Sequence, residues 1–182
     1  FDEPRPAPRR RLVPATRRET LGAAARAVAL AKLAGGLWTA ATARMDLLEW
    51  QLEPAIAVVR GATRVLLADQ VGLGKTVEAG LIAAELAARG LAGRVLVLTP
   101  AGLSAQWATE LRDRFGLAPA VLDQPALAAA RRDLPDDVSP WELFGCVIAS
   151  IDLAKRPEVR AAMDRTPFDL LIVDEAHHVR PG

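Results

Sequence analysis

The sequence is short of cysteine, of net charge and of long apolar runs, and each shortage closes off a class of protein. One cysteine, Cys146, among 182 residues excludes an intrachain disulfide. It stands in the apolar run Gly145-Cys146-Val147-Ile148-Ala149, where a buried, inert thiol is expected, and such usage fits a cytoplasmic setting. With only the adjacent His177 and His178 to join it, it does not supply zinc-site spacing, so no structural zinc is expected. Twenty-three Lys and Arg against 22 Asp and Glu leave a net charge of +1, which excludes a surface coated with one sign. Any contact with a polyanion must then come from local phosphate sites rather than a global field. No apolar stretch reaches the roughly 18 residues of a membrane span, because Arg26 and Lys32 interrupt the segment from Leu21 to Ala34. The same charges argue against a secretory signal, and no membrane partner is expected.

What is present is enough apolar residue, 51%, to bury one core, and the length suggests one domain with an appendage. Residues 1–20 hold Pro4, Pro6, Pro8 and Pro14 with six arginines, the composition of a flexible basic arm. Residues 21–47 turn Ala-rich, with Leu21, Ala25, Val28 and Leu33 on one side and Gly35-Gly36 as a break, which predicts a helical preamble. From residue 48 to 182 short apolar runs alternate with stretches of helical length. The runs are Val65 to Ala68, Val95 to Leu98, Ala120 to Leu122, Cys146 to Ala149 and Leu170 to Val173; the helical stretches are Thr76 to Arg89, Leu103 to Phe115, Pro125 to Leu134 and Lys155 to Arg165. Runs without polar alternation suit strands buried on both faces, so the fold class is α/β, a parallel doubly wound sheet with helices on both faces. The chain begins at Phe1 rather than Met and ends eight residues past Asp174, which suggests a fragment.

Two motifs carry chemistry. After the first run comes Asp69-Gln70-Val71-Gly72-Leu73-Gly74-Lys75-Thr76 and then a helical stretch. Gly72 and Gly74 let backbone N–H groups, with that of Leu73, close around a phosphate. The helix N-terminus adds partial positive charge, Lys75 reaches the outer phosphates and Thr76 offers a hydroxyl to Mg²⁺. The generic phosphate-loop pattern has glycine where Asp69 stands. About a hundred residues on, Leu170-Leu171-Ile172-Val173 delivers Asp174-Glu175-Ala176-His177 at a strand end. There Asp174 is placed to hold Mg²⁺ through water, Glu175 to orient and deprotonate the attacking water, and His177 to relay between sites. A guanine-reading Asn/Thr-Lys-x-Asp segment is absent, which disfavours a GTPase. A solvated carboxylate pair ending a strand is the bland alternative for Asp174 and Glu175, and a non-catalytic scaffold is the rival for the whole chain. The presence of Lys75, Thr76, Asp174 and Glu175 together argues against both.

Asp69 to Thr76 and Asp174 to His177 together resemble superfamily-two DEAD/DEAH-box helicases, and Leu66 to Gly80 is similar to the Swi/Snf-type branch, above all to RapA-type bacterial ATPases. In that family Asp69 is normal, while Gln70 stands where Glu is usual. The resemblance implies the first, RecA-like, three-layer ATP-binding lobe of a motor ATPase over residues 48–182, cut after its DEAH motif. It implies ATP and Mg²⁺ as ligands and binding of ATP by Gln51, Asp69, Gly72, Leu73, Gly74, Lys75, Thr76 and Asp174. Gln51 matches the family's adenine-reading glutamine, roughly two dozen residues before Lys75. Leu98 to Leu103 with Gln106-Trp107 resembles the motif that contacts the nucleic-acid backbone, making Thr99 and Pro100 candidates; Ser150 is the candidate in Ile148 to Asp152. Trp107 itself reads as core rather than a base-stacking platform. The implied partner is nucleic acid, double-stranded DNA first, with RNA polymerase or defence-system subunits as further possibilities. A second lobe with arginine fingers is implied as well, so this chain alone is expected to be nearly inactive.

Overall fold

Strands form where the apolar runs lack helical period: β1 (Val95–Thr99), β2 (Ala120–Val121), β3 (Cys146–Ser150) and β4 (Leu170–Val173). These come from a computed structural model that describes residues 36–40, 43, 47–68, 74–135 and 137–178. The four strands make one parallel sheet in the order β2-β3-β1-β4. Val95 pairs with Cys146 on one side and Leu170 on the other, while Thr99 pairs with Ser150 and Leu98 with Val173. That register sets Thr99, Ser150 and the residue after β4, Asp174, side by side at the carboxyl edge of the sheet. In open α/β sheets this is the edge where ligands bind.

Helices occupy the intervening stretches: α1 (Glu49–Val59), α2 (Lys75–Ala88), α3 (Ser104–Phe115), α4 (Gln124–Asp133), the short α5 (Ile151–Ala154) and α6 (Pro157–Arg165). Side-chain alternation along the strands sorts them into layers. Val95, Val97, Cys146 and Ile148 face Ala79, Ala83, Trp107 and Leu111 of α2 and α3. Leu96, Val147 and Ala149 face Leu127, Trp141, Leu153 and Val159, which belong to α4, a short 3-10 turn, α5 and α6. The sheet is thus covered on both sides, as its unalternating apolar strands require. A further layer lies outside α2, where Leu52 and Ala55 of α1 pack on Leu81 and Ile82 with Leu37 and Ala40. The helices α2 and α3 approach so closely that a Cβ on Gly80 would stand 2.5 Å from the Phe115 ring. No described helix is long and apolar enough to cross a membrane.

Two expectations from the sequence meet a different outcome or none. Val65 to Ala68, read as the first buried strand, is unpaired and lies open, with Leu66 83% exposed. A parallel strand needs a neighbour to take its backbone hydrogen bonds, and the nearest apolar edge, β4, lies across a cleft lined by both segments. As a result β4 stands at the edge of the sheet despite a central strand's composition, with Leu171 56% exposed. Of the expected preamble, residues 36–40 form turns and bends, and residues 21–35 lie outside the described residues, as does the arm over 1–20.

Candidate nucleotide site

Helix α2 begins at Lys75 because Gly74 before it takes φ +100°, a left-handed turn that L side chains rarely adopt. Lys75 and Thr76 are therefore the first two helical residues, with the unsatisfied N–H groups of the first turn beside them. Asp69, Gly72 and Leu73 lie outside the described residues. Across the sheet edge, β4 ends at Val173, and the Asp174 N–H donates to the Leu98 carbonyl at 2.8 Å, extending the β1 pairing by one residue. Lys75, Thr76, Asp174, Glu175 and His177 all open on one cleft of about 840 Å³ floored by Leu67, Ile82 and Ile172. Residues almost a hundred positions apart in sequence thus converge.

The Asp174 carboxylate is held from below. Its Oδ2 accepts the Trp107 indole N–H at 2.8 Å and the Thr99 hydroxyl at 3.3 Å, while Oδ1 accepts the Glu175 backbone N–H at 2.9 Å. Glu175 sits at φ +49°, the one non-glycine residue with positive φ among those described. Its Oε2 lies 3.2 Å from His177 Nδ1, and both side chains reach solvent. The donor set fits a divalent cation. A threonine hydroxyl and a carboxylate with capacity left on one oxygen are the hard oxygen ligands Mg²⁺ takes while keeping several waters.

Gln51 does not line this cleft; it is buried, 5% exposed, against Gly74, the residue before Lys75. Its Oε1 accepts the Leu48 N–H at 3.0 Å, closing the first turn of α1, and a Cβ on Gly74 would meet its Nε2 at 2.5 Å. The glutamine side chain and the end of the phosphate loop are thus in contact only because position 74 carries no side chain. The nucleic-acid candidates separate. Thr99 is fully buried and its hydroxyl bonds the Asp174 carboxylate, so its side chain is not on an outer surface. Ser150 Oγ accepts the Leu153 N–H at 3.1 Å as the cap of α5, and Pro100 is half-buried at the turn into α3.

Three buried groups were not read from the sequence as functional. Trp107 reads as core, where it is, but a buried indole N–H also needs an acceptor, and here that acceptor is the Asp174 carboxylate. Glu78 is buried one turn after Lys75 on α2. Glu85, buried two turns further on, accepts from the backbone N–H groups of Trp38 and Thr39, the Thr39 hydroxyl and the Arg89 guanidinium, all within 2.9 Å. Burial pushes the Glu85 carboxyl up, but these donors together outweigh it and hold it below 4.5. Arg89 also bonds the Gly36 carbonyl at 2.7 Å and lies 4.6 Å over the Trp38 ring. Segment 36–40 is thereby clamped to α2. Burial likewise raises the Cys146 thiol to about 11, as expected of an inert core cysteine.

The chain is 44% identical over 131 residues to the ATP-dependent helicase YqhH of Bacillus subtilis (strain 168), a match covering 71% of this chain and 21% of that protein. It is 42% identical over 149 residues to the RNA polymerase-associated protein RapA of Pseudomonas aeruginosa (strain LESB58), covering 81% of this chain and 15% of that one. Its fold matches the Sulfolobus solfataricus SWI2/SNF2 ATPase core in complex with dsDNA, with a TM-score of 0.60 at 17% identity over 75% of this chain and 27% of that one. The chain therefore spans about a fifth or less of the curated relatives it matches. The SNF2-related domain family matches residues 46–182, which takes in both motifs and every strand of the sheet, and the chain belongs to that family.

Proposed function

We propose that this chain is the first ATP-binding lobe of an ATP-dependent translocase that moves on nucleic acid, double-stranded DNA in the first instance. The observation that carries the reading is the convergence of Lys75 and Thr76 at the start of α2 with Asp174 and Glu175 at the end of β4 on one cleft. In this reading Lys75 and the first N–H groups of α2 hold the outer phosphates of ATP. The Thr76 hydroxyl and Asp174 hold Mg²⁺, which when bound neutralises charge on the β- and γ-phosphates. Glu175 orients the attacking water and accepts its proton, and His177, beside the Glu175 carboxylate, passes the state of the site on. Gln51 contacts the adenine edge, and the turn Pro100 to Ser104 at the start of α3 meets a backbone phosphate.

The relatives support motor chemistry, one being a helicase, and suggest two partners, since another is RNA polymerase-associated and a third is a core solved on dsDNA. RNA polymerase, or the subunits of a defence system, would then be the assembly this motor serves, in a bacterial cytoplasm. Phosphate release by the full-length protein tests the reading, measured without nucleic acid and with duplex DNA, single-stranded DNA or RNA, and with Glu175→Gln as the blank. Stimulation of the wild type by duplex DNA is the expected outcome. Hydrolysis indifferent to every nucleic acid would overturn the motor. The 182-residue chain alone is expected to bind nucleotide weakly and turn it over little.

A further inference from the structure

We propose that Trp107 is a positioning residue for Asp174: with Thr99, it occupies one carboxylate oxygen so that a single lone pair of the other faces the metal. The inference rests on the proposed nucleotide reading and adds to it a residue outside both motifs. A carboxylate has about four lone-pair positions, two on each oxygen. Both on Oδ2 are taken by protein donors, the Trp107 N–H at 2.8 Å and the Thr99 hydroxyl at 3.3 Å. One on Oδ1 is taken by the Glu175 N–H at 2.9 Å. One acceptor position remains toward the cleft, which suits a ligand that holds Mg²⁺ through a bound water better than one that chelates it.

The anchoring donors are rigid. Trp107 is 3% exposed and packed among Ala79, Ala83, Val97 and Leu111, and Thr99 ends a strand paired on both sides. A short, part-buried bond from a rigidly packed neutral donor to a charged acceptor fixes the carboxylate rotamer before the metal arrives. Without the indole N–H, the Asp174 carboxylate would rotate among several orientations in the free protein, and the metal would have to select one. Trp107 lies in the first turn of α3, just after the segment Pro100 to Ser104 proposed to meet the nucleic-acid backbone. The proposed polymer contact and the anchor of the proposed metal ligand are thus adjacent in sequence.

The test is the Mg²⁺ dependence of ADP binding to the full-length protein, followed by calorimetry or a fluorescent ADP analogue, in wild type, Trp107→Phe, Thr99→Val and, as a nucleotide-site control, Lys75→Ala. Phenylalanine keeps an aromatic ring in the core and removes the donor. The expected result is that Trp107→Phe leaves ADP affinity in EDTA unchanged and raises the Mg²⁺ midpoint about tenfold, the weight of one hydrogen bond to a charged group. Thr99→Val, which loses a longer bond, should raise it about twofold to threefold by the same reasoning. An unchanged Mg²⁺ midpoint in both variants would show Trp107 to be packing alone and overturn the proposal. A midpoint unchanged in one and shifted in the other would overturn the joint anchoring. Equal loss of ADP affinity with and without Mg²⁺ would mean a collapsed core and would also count against it. If wild type binds no ADP, or binds it as well as Lys75→Ala does, the nucleotide reading itself fails, a result distinct from all of these.

Discussion

Replacing Glu85 by Gln should release segment 36–40 from helix α2 while leaving the sheet intact. In the wild type one buried carboxylate accepts four bonds, from Trp38 N–H, Thr39 N–H, Thr39 Oγ1–H and Arg89 Nε–H, at 2.7 to 2.9 Å. A carboxamide offers one oxygen, on which about two of these donors fit, and turns its NH₂ group toward the others. Two bonds to a charged acceptor, each worth about 1.5 to 3 kcal/mol, are thus exchanged for a donor–donor conflict. Arg89 loses its buried counter-charge but still reaches the Gly36 carbonyl and the Trp38 ring, which recovers a part. The net is about 3 kcal/mol of local stability, equivalent to an amide-exchange rate at Trp38 and Thr39 raised roughly a hundredfold. Hydrogen exchange resolved to that segment is the assay, because it reads local opening whatever else the full-length protein does. Acid should reproduce the mutant: the folded Glu85 pKa is depressed, so its contribution is present above the unfolded value near 4.5 and is lost as pH falls through the lower folded value. Exchange at Trp38 and Thr39 that rises less than about fivefold in Glu85→Gln would mean the clamp is ornamental and the reasoning wrong.

Glu175→Gln should retain Mg²⁺-dependent ATP binding and lose hydrolysis by a hundredfold or more in the full-length protein, read as single-turnover phosphate release beside equilibrium binding. Gly80→Ala should cost about 1 to 3 kcal/mol in thermal or urea unfolding, since its Cβ would stand 2.5 Å from the Phe115 ring, and Phe115→Leu in the same chain should recover most of it. Gly74→Ala should weaken ATP binding at least tenfold, because a side chain there meets both a left-handed φ and Gln51 Nε2 at 2.5 Å; unchanged affinity would remove Gln51 from the site. The open β4 edge should make the 182-residue chain self-associate at high concentration, and Leu171→Lys should suppress this, followed by light scattering, with no change in far-ultraviolet circular dichroism.

The sequence made the layers legible because the apolar runs and helical stretches alternate without ambiguity: four of the five expected strands pair in the sheet, and α2, α3, α4 and α6 begin and end within two residues of expectation. The exception, Val65 to Ala68, has a strand's composition, but pairing depends on a neighbour, which no local pattern encodes. Helix α1 was missed as a helix because it carries Pro54 inside and follows an expected preamble. Lys75, Thr76, Asp174 and Glu175, proposed from two short motifs whose chemistry is local, open on one cleft. Their supports were not legible in the sequence. Trp107 reaches Asp174 across 67 positions and Glu85 reaches Trp38 across 47, and nothing in either neighbourhood announces the partner.

The left-handed backbone of Glu175 sets stability against chemistry at a single residue. At φ +49° a β-carbon is crowded by the backbone on both sides, and glycine would relieve roughly 1 kcal/mol of that strain. A screen that rewarded only heat resistance would thus be drawn to Glu175→Gly, gaining a firmer turn and losing the side chain proposed to activate water. Where thermostabilised forms of this lobe are sought, position 175 is the place at which improvement and inactivation coincide.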